Sequence, residues 1–328
     1  MAQIRRDVAF NQDLKALVPR AGVDPLFLSY TLVASKERIR ELVSVAGHGT
    51  GKLETDQLTA FGVLLPPLEE QRGIAAILNS FEEVAEVTER LIANSHQQQH
   101  ALMQQMLSGK RRIKRLSKSS STVLTRHGRV PEDWRLVQIG EIAIEVSQRH
   151  TGDENYPVLS CSKHKGFISS LEYFKKRVFS SDLSNYKIVK RGDFGFPSNH
   201  IEEGSIGHQE ICDCGVVSPI YTVFRAGADV FGGYLYKLLK TDHYRQIFSA
   251  GTNASVDRRG SLRWAEFSKI CVPLPSLEEQ SMISSIIDVA NEEAANLQKQ
   301  LFALQQQKRV LMQQLLTGKR RVKLDSAA

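Results

Sequence analysis

The segment AGHGTGKLETDQL, residues 46–58, contains three glycines followed by Lys52, and this composition resembles that of a phosphate-binding loop. A P-loop needs glycine at its first position, Gly-Lys at the sixth and seventh, and Ser or Thr after them. Here Ala46 stands at the first position and Leu53 follows the lysine. The segment also follows a helix-like stretch, KERIRELVSV, where a P-loop would follow a buried strand. These departures argue against a nucleotide site.

Metal and catalytic chemistry find equally little support in the sequence. Cys212 and Cys214 lie close to His208, but no second pair of ligands has the spacing of a zinc site, so cysteines at strand ends are favoured over a metal centre. No glycine fingerprint for a cofactor and no convincing nucleophile–base set is present, although paired nuclease carboxylates stay open. We expect no metal, no cofactor and no catalysis by this chain itself.

Composition indicates a protein outside the membrane with an anionic partner. The chain has 328 residues, a net charge of +7 and a pI near 9.2, a mild preference for polyanions. Four cysteines do not make a disulfide framework. The absence of a long apolar run and of a signal-peptide pattern predicts a cytoplasmic location and no membrane partner.

An internal repeat organises the chain. LPPLEEQ (65–71) returns as LPSLEEQ (274–280), and LMQQMLSGKRRI (102–113) returns as LMQQLLTGKRRV (311–322), both at an offset of 209 residues. The second pair shares nine of twelve residues. Upstream of these motifs, FLSYTL in the first copy also resembles YLYKLL in the second. We therefore predict two copies of one structural scaffold.

Each copy ends in a predicted long helix. In the second copy Ser276 and Glu279 suggest a capping box, and Gly318 with the basic residues after it ends the helix. Residues then recur with a 3.5-residue period, as along a coiled-coil seam. The second seam is Ile283, Ile287, Ala290, Ala294, Leu297, Leu301, Leu304, Lys308, Leu311 and Leu315. The first seam is Ile74, Leu78, Phe81, Ala85, Thr88, Ile92, Ser95, Gln99, Leu102 and Met106.

The two helices are predicted to run antiparallel. Each spans about 40 residues, or roughly 60 Å. A domain of about 145 residues joins the end of the first helix to the start of the second, and antiparallel packing brings these two ends together. The expected shape is a dumbbell, two globular ends separated by a fixed spacer. A helical rod that only dimerises is the alternative on geometry alone.

From residue 129 the pattern changes to short β-rich segments between turns. These segments are YPVLSC, YKIVKRGDFGF, GSIG and GVVSPIYTVF, followed by one predicted helix over 232–249 and a strand, KICVPL. The pattern predicts an α+β fold in which a mixed α/β domain is joined to the two coiled-coil helices.

The ordered motifs resemble the specificity subunits of type I restriction-modification enzymes. The matching motifs are VPEDW with IGEI, SNYKIVKRGDFGF, GSIG, VVSPIYTVF, and the twice-used LEEQ and GKRR segments. The resemblance covers nearly the whole chain. It implies two target-recognition domains that each read half of a split double-stranded DNA site, a spacer of two antiparallel helices, and docking of DNA methyltransferase (M) subunits, expected to be two. Restriction/translocase (R) subunits would join the full complex.

On this resemblance the chain divides into six parts. Residues 1–66 are a partial first recognition domain, 67–109 the first spacer helix and 110–128 a basic linker. Residues 129–273 are the second recognition domain, 274–318 the second spacer helix and 319–328 a tail. The helix residues expected to serve subunit docking are Leu297, Leu301, Leu304, Leu311, Leu315, Ile74, Leu78, Ile92 and Leu102.

The first recognition domain departs from the family pattern because it has only about 66 residues against about 145 in the second. Its sequence resembles the later half of a recognition domain. We hypothesise a split or truncated specificity subunit whose first reader is completed by another chain. A subunit reading a single half-site, or a coiled-coil interaction protein without DNA readout, are the alternatives.

The candidate DNA contacts lie in polar, basic turns, since phosphates need Lys and Arg whereas base edges need Arg, Asn, Gln or Ser. Three loops of the second domain supply Lys163, His164, Lys165, Asn199, His200, Asn253, Ser255, Arg258 and Arg259, with Ser162 and Ser198 beside them. The first domain supplies His48, Thr50 and Lys52, with Asn11 and Gln12 less favoured. For any single residue a solvated loop is an equal alternative.

The basic linker carries eight cations and no acid between residues 109 and 129. They are Lys110, Arg111, Arg112, Lys114, Arg115, Lys118, Arg126 and Arg129. A solvated tether is the favoured interpretation, and a strap that touches DNA phosphates is the alternative.

Overall fold

The structure is a computed structural model. It describes residues 4, 8–11, 14–45, 51–125, 128–151, 154–253 and 261–323, with the side chains of residues 45 and 253 excepted. The chain divides into two compact units. The first unit contains residues 1–96 and 292–328, and the second contains residues 97–291. None of the helices described combines the length and the apolar character needed to cross a bilayer.

The first unit contains helices and one small hairpin. Its elements are α1 (Pro25–Ala34), α2 (Lys36–Arg40), β1 (Ser44–Val45), β2 (Gly51–Lys52), α3 (Thr55–Thr59) and the greater part of α4 (Leu68–Leu107). Asp24 caps α1 by accepting the N–H of Phe27 at 2.8 Å, and Pro25 begins the helix. Phe27 and Tyr30 of α1 pack with Ile74, Leu78 and Leu315 in the core of this unit.

The second unit carries most of the strands, as the α+β prediction requires. Its elements are β3 (Thr122–Thr125), β4 (Gly128–Pro131), β5 (Arg135–Gln138), α5 (Ile139–Ile142), β6 (Ala143–Glu145), β7 (Leu159–Ser162), β8 (Gly166–Ser169), α6 (Ser170–Phe174), β9 (Lys187–Lys190), β10 (Phe194–Pro197), β11 (Gly207–His208), β12 (Cys214–Val217), β13 (Tyr221–Ala226), α7 (Gly232–Leu239), α8 (Asp242–Asn253), α9 (Trp264–Phe267), β14 (Cys271–Leu274) and α10 (Leu277–Leu316), which extends into the first unit.

A four-stranded sheet in the order β11-β10-β13-β6 forms the centre of the second unit. All its neighbouring strands are antiparallel, with Phe194 opposite Phe224 in the β10–β13 pair. These two rings stack with centroids 5.0 Å apart, and Phe267 packs against Phe224 at 5.2 Å. The main core continues onto α7, α8 and the first turns of α10 through Tyr234, Phe248 and Ile283.

The antiparallel helix pair is confirmed within each unit. In the first unit Lys308 forms an ion pair with Glu82, and Nε2 of the Gln298 amide lies 3.2 Å from Nε2 of the His96 ring. In the second unit Gln99 bonds Asn291, and Leu102 packs in the core that contains Ile283. Every predicted seam residue of both helices is buried or half-buried. The 3.5-residue period therefore identifies the contact face correctly.

A reciprocal ion pair joins the end of each repeat to the start of the other, and we call it a clasp. In the second unit Arg112 Nε donates to Glu279 Oε1 at 2.9 Å. In the first unit Arg321 Nε donates to Glu70 Oε1 at 2.5 Å. Each partner of one clasp stands 209 residues from its counterpart in the other. The GKRR and LEEQ motifs occur twice because each clasp takes one of them from each copy.

The glutamine of each LEEQ motif fastens its helix to the preceding chain. Gln71 donates to the carbonyls of Pro66 and Gly22 at 2.8 and 3.1 Å and accepts the N–H of Asp24 at 2.9 Å. Gln280 makes the same three bonds, to Pro275, Asp229 and Phe231. Both side chains are buried, so their amides satisfy backbone groups that would otherwise lack partners.

Both long helices end on a glycine with positive φ. Gly109 has φ +72° and Gly318 has φ +71°. Beyond them, Arg111 N donates to Gln105 O and Arg320 N donates to Gln314 O. A left-handed glycine is common at helix C-termini, where it lets the last carbonyls find donors. Arg112 and Arg321, three residues beyond these glycines, form the clasps.

Three sequence predictions need correction. The capping box at Ser276 is only half formed: Ser276 Oγ accepts the N–H of Glu279 at 3.3 Å, but the carboxylate of Glu279 binds Arg112. The helix predicted over 232–249 is two helices, α7 and α8, interrupted where the Thr241 hydroxyl bonds Leu238 O at 2.8 Å. Residues 122–125, assigned to the linker, form β3 and pair with β4.

The tether interpretation of the linker is wrong for Arg112, whose guanidinium is bound on both sides by carboxylates. It donates to Asp133 as well as to Glu279 and lies 5.3 Å from the ring of Trp134. These partners raise the pKa of Arg112, with the Asp133 hydrogen bond as the largest cause. Arg115 pairs weakly with Glu278 at 3.8 Å. Lys110, Arg111, Lys114 and Lys118 are exposed, and Arg126 lies outside the described residues.

Candidate nucleic-acid interface

The turn that joins β7 to β8 carries the first group of predicted contacts, Lys163, His164 and Lys165. Ser162 Oγ accepts the N–H groups of His164 and Lys165, both at 3.3 Å, and so holds the turn. Gly166 closes it with φ +68°, and a Cβ there would lie 2.6 Å from the hydroxyl of Tyr236. All three predicted side chains are exposed. The turn thus displays two lysines and an imidazole from a fixed backbone.

The second group, Asn199 and His200, follows β10. Ser198 is buried and donates to Ile220 O at 2.9 Å, and its hydroxyl lies 3.1 Å from that of Thr222. These bonds fix the backbone that carries Asn199, which is half-buried. His200 is exposed and its Nδ1 lies 3.6 Å from Glu203.

Lys240, directly after α7, binds backbone carbonyls near both groups. Its ammonium donates to the carbonyl oxygen of Gly204 at 2.9 Å and also to that of Lys163. Burial lowers the pKa of Lys240, and the ammonium lies 5.9 Å from the ring of Tyr236. Lys240 therefore positions the 163–165 turn against Gly204, which follows the 3-10 helix Ile201–Glu203 next to Asn199 and His200.

The chain that follows the third predicted loop contacts the backbone of the second group. Leu262 N donates to Ser198 O at 2.9 Å, so the chain entering α9 runs beside the Asn199 turn. Asn253 is the last residue of α8. Ser255, Arg258 and Arg259 lie outside the described residues, as do His48 and Thr50 of the first unit. Lys52, also in the first unit, is exposed and pairs with Glu54 at 2.9 Å.

A cavity of about 640 Å³ opens between the Asn199 turn and the start of α9. It lies where β6 and β10 end and β13 begins. Its lining residues are Glu145, Lys187, Ser198, Asn199, Pro219, Ile220, Tyr221, Thr222, Ser261, Arg263 and Trp264. Lys187 donates to Tyr221 O at 2.6 Å, and burial lowers its pKa while Glu145 opposes that shift.

Sequence reasoning missed Lys187, Lys240, Arg263 and Trp264. Arg263 and Trp264 form a basic–aromatic pair directly after the predicted TNASVDRRGS loop, and this pair was a usable signal. Lys187 and Lys240 gave no such signal, since their roles depend on carbonyl groups far away in the chain. The structure brings Asn199 together with Lys187, Arg263 and Trp264 around the cavity, and it brings Lys240 against the carbonyl of Lys163.

The Cys212, Cys214 and His208 group has other contacts. Gln209 Nε2 donates to Cys212 Sγ at 2.9 Å, and the His208 ring stacks on Phe194 with centroids 4.5 Å apart. Burial lowers the pKa of His208. Among the described residues, only His200, Glu202 and Glu203 bring three potential metal ligands within 4.8 Å of one another. Two of the three are already paired with each other, and clusters of this kind are common without a metal.

Comparisons with known proteins bear on the family resemblance of the chain. A family model described as the type I restriction modification DNA specificity domain matches residues 2–94. The type I restriction enzyme MjaVIII specificity subunit of Methanocaldococcus jannaschii is 24% identical over 324 residues, covering 92% of this chain and 71% of that protein. The putative type I restriction enzyme MjaX specificity subunit of the same organism is 23% identical over 313 residues, covering 92% and 69%.

Two solved structures have the same fold. The HsdS subunit from Thermoanaerobacter tengcongensis matches with a TM-score of 0.50 at 19% identity, covering 91% of this chain and 71% of that one. The type I restriction-modification S subunit from M. genitalium matches with a TM-score of 0.54 at 17% identity, covering 90% and 73%. The α+β fold with coiled-coil helices is thereby confirmed.

The family match and the two relatives show that the chain is similar to the DNA specificity proteins of type I restriction-modification systems. More narrowly, the chain is a homologue of the specificity subunits of type I restriction-modification enzymes, so the resemblance predicted from its motifs is confirmed.

Proposed function

We propose that the second unit reads one half of a split DNA site through the turns at 163–165 and 199–200 and the segment entering α9. The convergence of these three segments around Lys240 and Ser198 carries the proposal. Turns fastened to a common backbone can present donors to base edges and phosphates without a large ordering cost on binding. The net charge of +7 favours the same partner.

In this proposal the chain directs the complex to its DNA site and does not itself catalyse a reaction. Two methyltransferase subunits dock on it in the cytoplasm, and restriction/translocase subunits join for cleavage. The long helices set the spacing between half-sites, as the predicted dumbbell requires. Whether the first domain reads its half-site alone or with another chain is an outcome of the experiment below.

The predicted docking residues face inward along the helix seam, so we propose a different surface for the methyltransferase contact. Val84, Val87 and Leu91 stand on one face of α4 at i, i+3 and i+7, and each is between 45% and 49% exposed. Seam residues such as Leu78 and Leu315 then act indirectly by holding the helix pair together.

The test is to co-express the chain with its methyltransferase subunits and map the methylated sites in genomic DNA. We expect methylation at one bipartite sequence. Methylation at a sequence with a single specified half would support the half-site alternative. A complex that methylates no defined sequence, and binds no duplex at low salt, would contradict the DNA-reading function.

Variants of the complex then test the turns. Lys163→Ala should weaken binding of all duplexes alike and lower the slope of log K against log salt by about one, as for a lost phosphate contact. Lys269→Ala is the matched control, because Lys269 is an exposed lysine of the same unit outside the three segments and the cavity. Equal behaviour of the two variants would remove the 163–165 turn from the interface.

A further inference from the structure

The cavity beside Asn199 contains both hydrogen-bond donors and acceptors, unlike a site for phosphate alone. Arg263 and Lys187 are cationic, Asn199 offers a donor and an acceptor, and Glu145 offers only acceptors. A phosphate presents acceptors alone, so a carboxylate on the wall would repel it. The edges of base pairs present donors and acceptors together, and they match this mixture.

Arg263 differs from the other cations around the cavity in being uncommitted. Lys187, the other cation that lines the cavity, donates to Tyr221 O at 2.6 Å. Arg263 is exposed and forms no ion pair with any residue in the described part of the chain. Its planar group with five N–H donors can contact two acceptors of one base at once.

Asn199 has a complementary property. Its side chain is half-buried, yet its amide makes no hydrogen bond to another described residue. A polar group partly withdrawn from water gains from a ligand that supplies the missing bonds. The Leu262 N–Ser198 O bond joins the backbone next to Asn199 to the backbone next to Arg263. The backbone segments that carry the two side chains are therefore held side by side.

Part of the cavity lining is apolar. Trp264 packs against Phe224 and Phe267, with centroids 5.7 and 6.1 Å away. Ile220 and Pro219 extend this lining, and Ile220 is exposed. Such a surface suits the sugar of a DNA strand or a thymine methyl group.

We propose that Arg263 and Asn199 are specificity-determining residues that contact the base edges of one or two adjacent base pairs, while the cavity receives the adjoining strand of the duplex. This inference rests on the proposed function, since it assumes that the second unit binds a half-site. It adds Arg263 and assigns a mode of contact to Arg263 and Asn199. In this inference Arg263 contacts base edges, whereas a typical surface arginine would only attract the DNA phosphates.

The experiment measures binding of the methyltransferase complex to duplexes that carry its mapped site or any single base-pair substitution in it. Arg263→Lys keeps the charge and loses the planar fork, so it separates base reading from phosphate attraction. We expect it to reduce discrimination at one or two adjacent positions by roughly five- to 150-fold, equivalent to about 1–3 kcal/mol, with an unchanged salt slope. Asn199→Ala should reduce discrimination at the same or the neighbouring position.

Three results would overturn the inference. Discrimination by Arg263→Lys equal to that of the wild type would remove Arg263 from base reading. Uniform weakening across all duplexes by Arg263→Ala, with a lower salt slope, would make it a phosphate contact. A loss at scattered positions, shared by the control Lys269→Ala, would indicate a general defect. A wild-type complex without any sequence preference would contradict the proposed function itself, so the two failures are distinguishable.

Discussion

The two clasps use equivalent residues but differ in their surroundings. The side chain of Arg112 is 14% exposed and contacts Glu279, Asp133 and Trp134, whereas that of Arg321 is 70% exposed and contacts Glu70. Trp134 Nε1 also donates to Glu279 Oε2 at 3.0 Å. The repeat therefore encodes the ion pair, while the VPEDW segment outside the repeat encodes its burial.

The start of each helix does not cause this difference. Gln71 and Gln280 make equivalent sets of three hydrogen bonds, and both are buried. The carboxylates are alike too, since both Glu70 and Glu279 are buried. The asymmetry comes from Asp133 and Trp134, which contact Arg112, and Trp134 also donates to Glu279. An exposed ion pair contributes little to stability, but removing one partner of a buried pair is costly.

Replacing the arginines should have the largest effect. Arg112→Ala leaves Glu279 and Asp133 without their cation, and we expect the free energy of unfolding to fall by about 3–5 kcal/mol. Arg321→Ala, the matched control, should cause a much smaller loss because solvent already hydrates its side chain. Trp134 and Trp264 are the two tryptophans and both belong to the second unit. Denaturant midpoints from tryptophan fluorescence should therefore shift for Arg112→Ala alone.

Far-UV circular dichroism on the same samples monitors the helices of both units. Equal losses in the two variants would show that burial of Arg112 adds nothing, and the comparison between the clasps would fail.

The helix-ending glycines provide the next test. Alanine at either position must adopt a left-handed conformation, which costs about 1–2 kcal/mol. At Gly109 a Cβ would also lie 2.4 Å from Pro131 Cγ, whereas at Gly318 it would meet nothing within 4 Å. Overpacking of this kind adds about 1–3 kcal/mol. Gly109→Ala should therefore destabilise more than Gly318→Ala in denaturant unfolding, and the reverse order would contradict the packing of VPEDW on the helix end.

Acid should weaken the buried clasp through Asp133. Hydrogen bonding to Arg112 lowers the pKa of Asp133 from its ordinary 3.8 to about 2. A carboxyl group with a lowered folded-state pKa stabilises the fold fully above its unfolded value, and this contribution is lost as pH falls towards the folded value. Asp133→Asn should cost roughly 2 kcal/mol at neutral pH, with the difference from wild type narrowing between about pH 5 and pH 2.

Urea unfolding at a series of pH values measures this difference. A gap between Asp133→Asn and the wild type that stays constant into acid would assign the loss to packing and not to the charge. Glu70 also has a lowered pKa, caused first by the Arg321 hydrogen bond. Because its partner Arg321 is more exposed, the difference in unfolding free energy between Glu70→Gln and the wild type should change less with pH. Glu70→Gln is therefore the contrast to Asp133→Asn.

Local patterns predicted the helices well. The seam residues from Ile74 to Met106 and from Ile283 to Leu315 are on the contact face because a heptad period depends only on spacing along one helix. The antiparallel direction followed from chain connectivity. The reciprocal clasp was within reach too, since antiparallel helices bring the LEEQ start of one copy beside the GKRR end of the other.

The parts that could not be predicted depend on contacts between distant segments. The break between α7 and α8 and the bonds from Lys240 to Lys163 and Gly204 follow from tertiary packing, for which KLLKTDHYRQ gives no periodic signal. Likewise, the cavity residues Lys187, Ser198 and Trp264 meet only after three elements pack together. The polar turns were recognisable as loops, but which loops converge was not.

The residues of the clasps and glutamine bonds are a different set from those of the reading turns. Arg112, Asp133, Glu279 and Gln280 secure the scaffold, whereas Lys163, Asn199 and Arg263 lie in short connections between secondary-structure elements. Under the proposed function, mutation or recombination within those connections diversifies ligand preference while leaving the folding determinants intact. Evolvability of this kind is a property of the architecture, independent of which base pairs any one variant prefers.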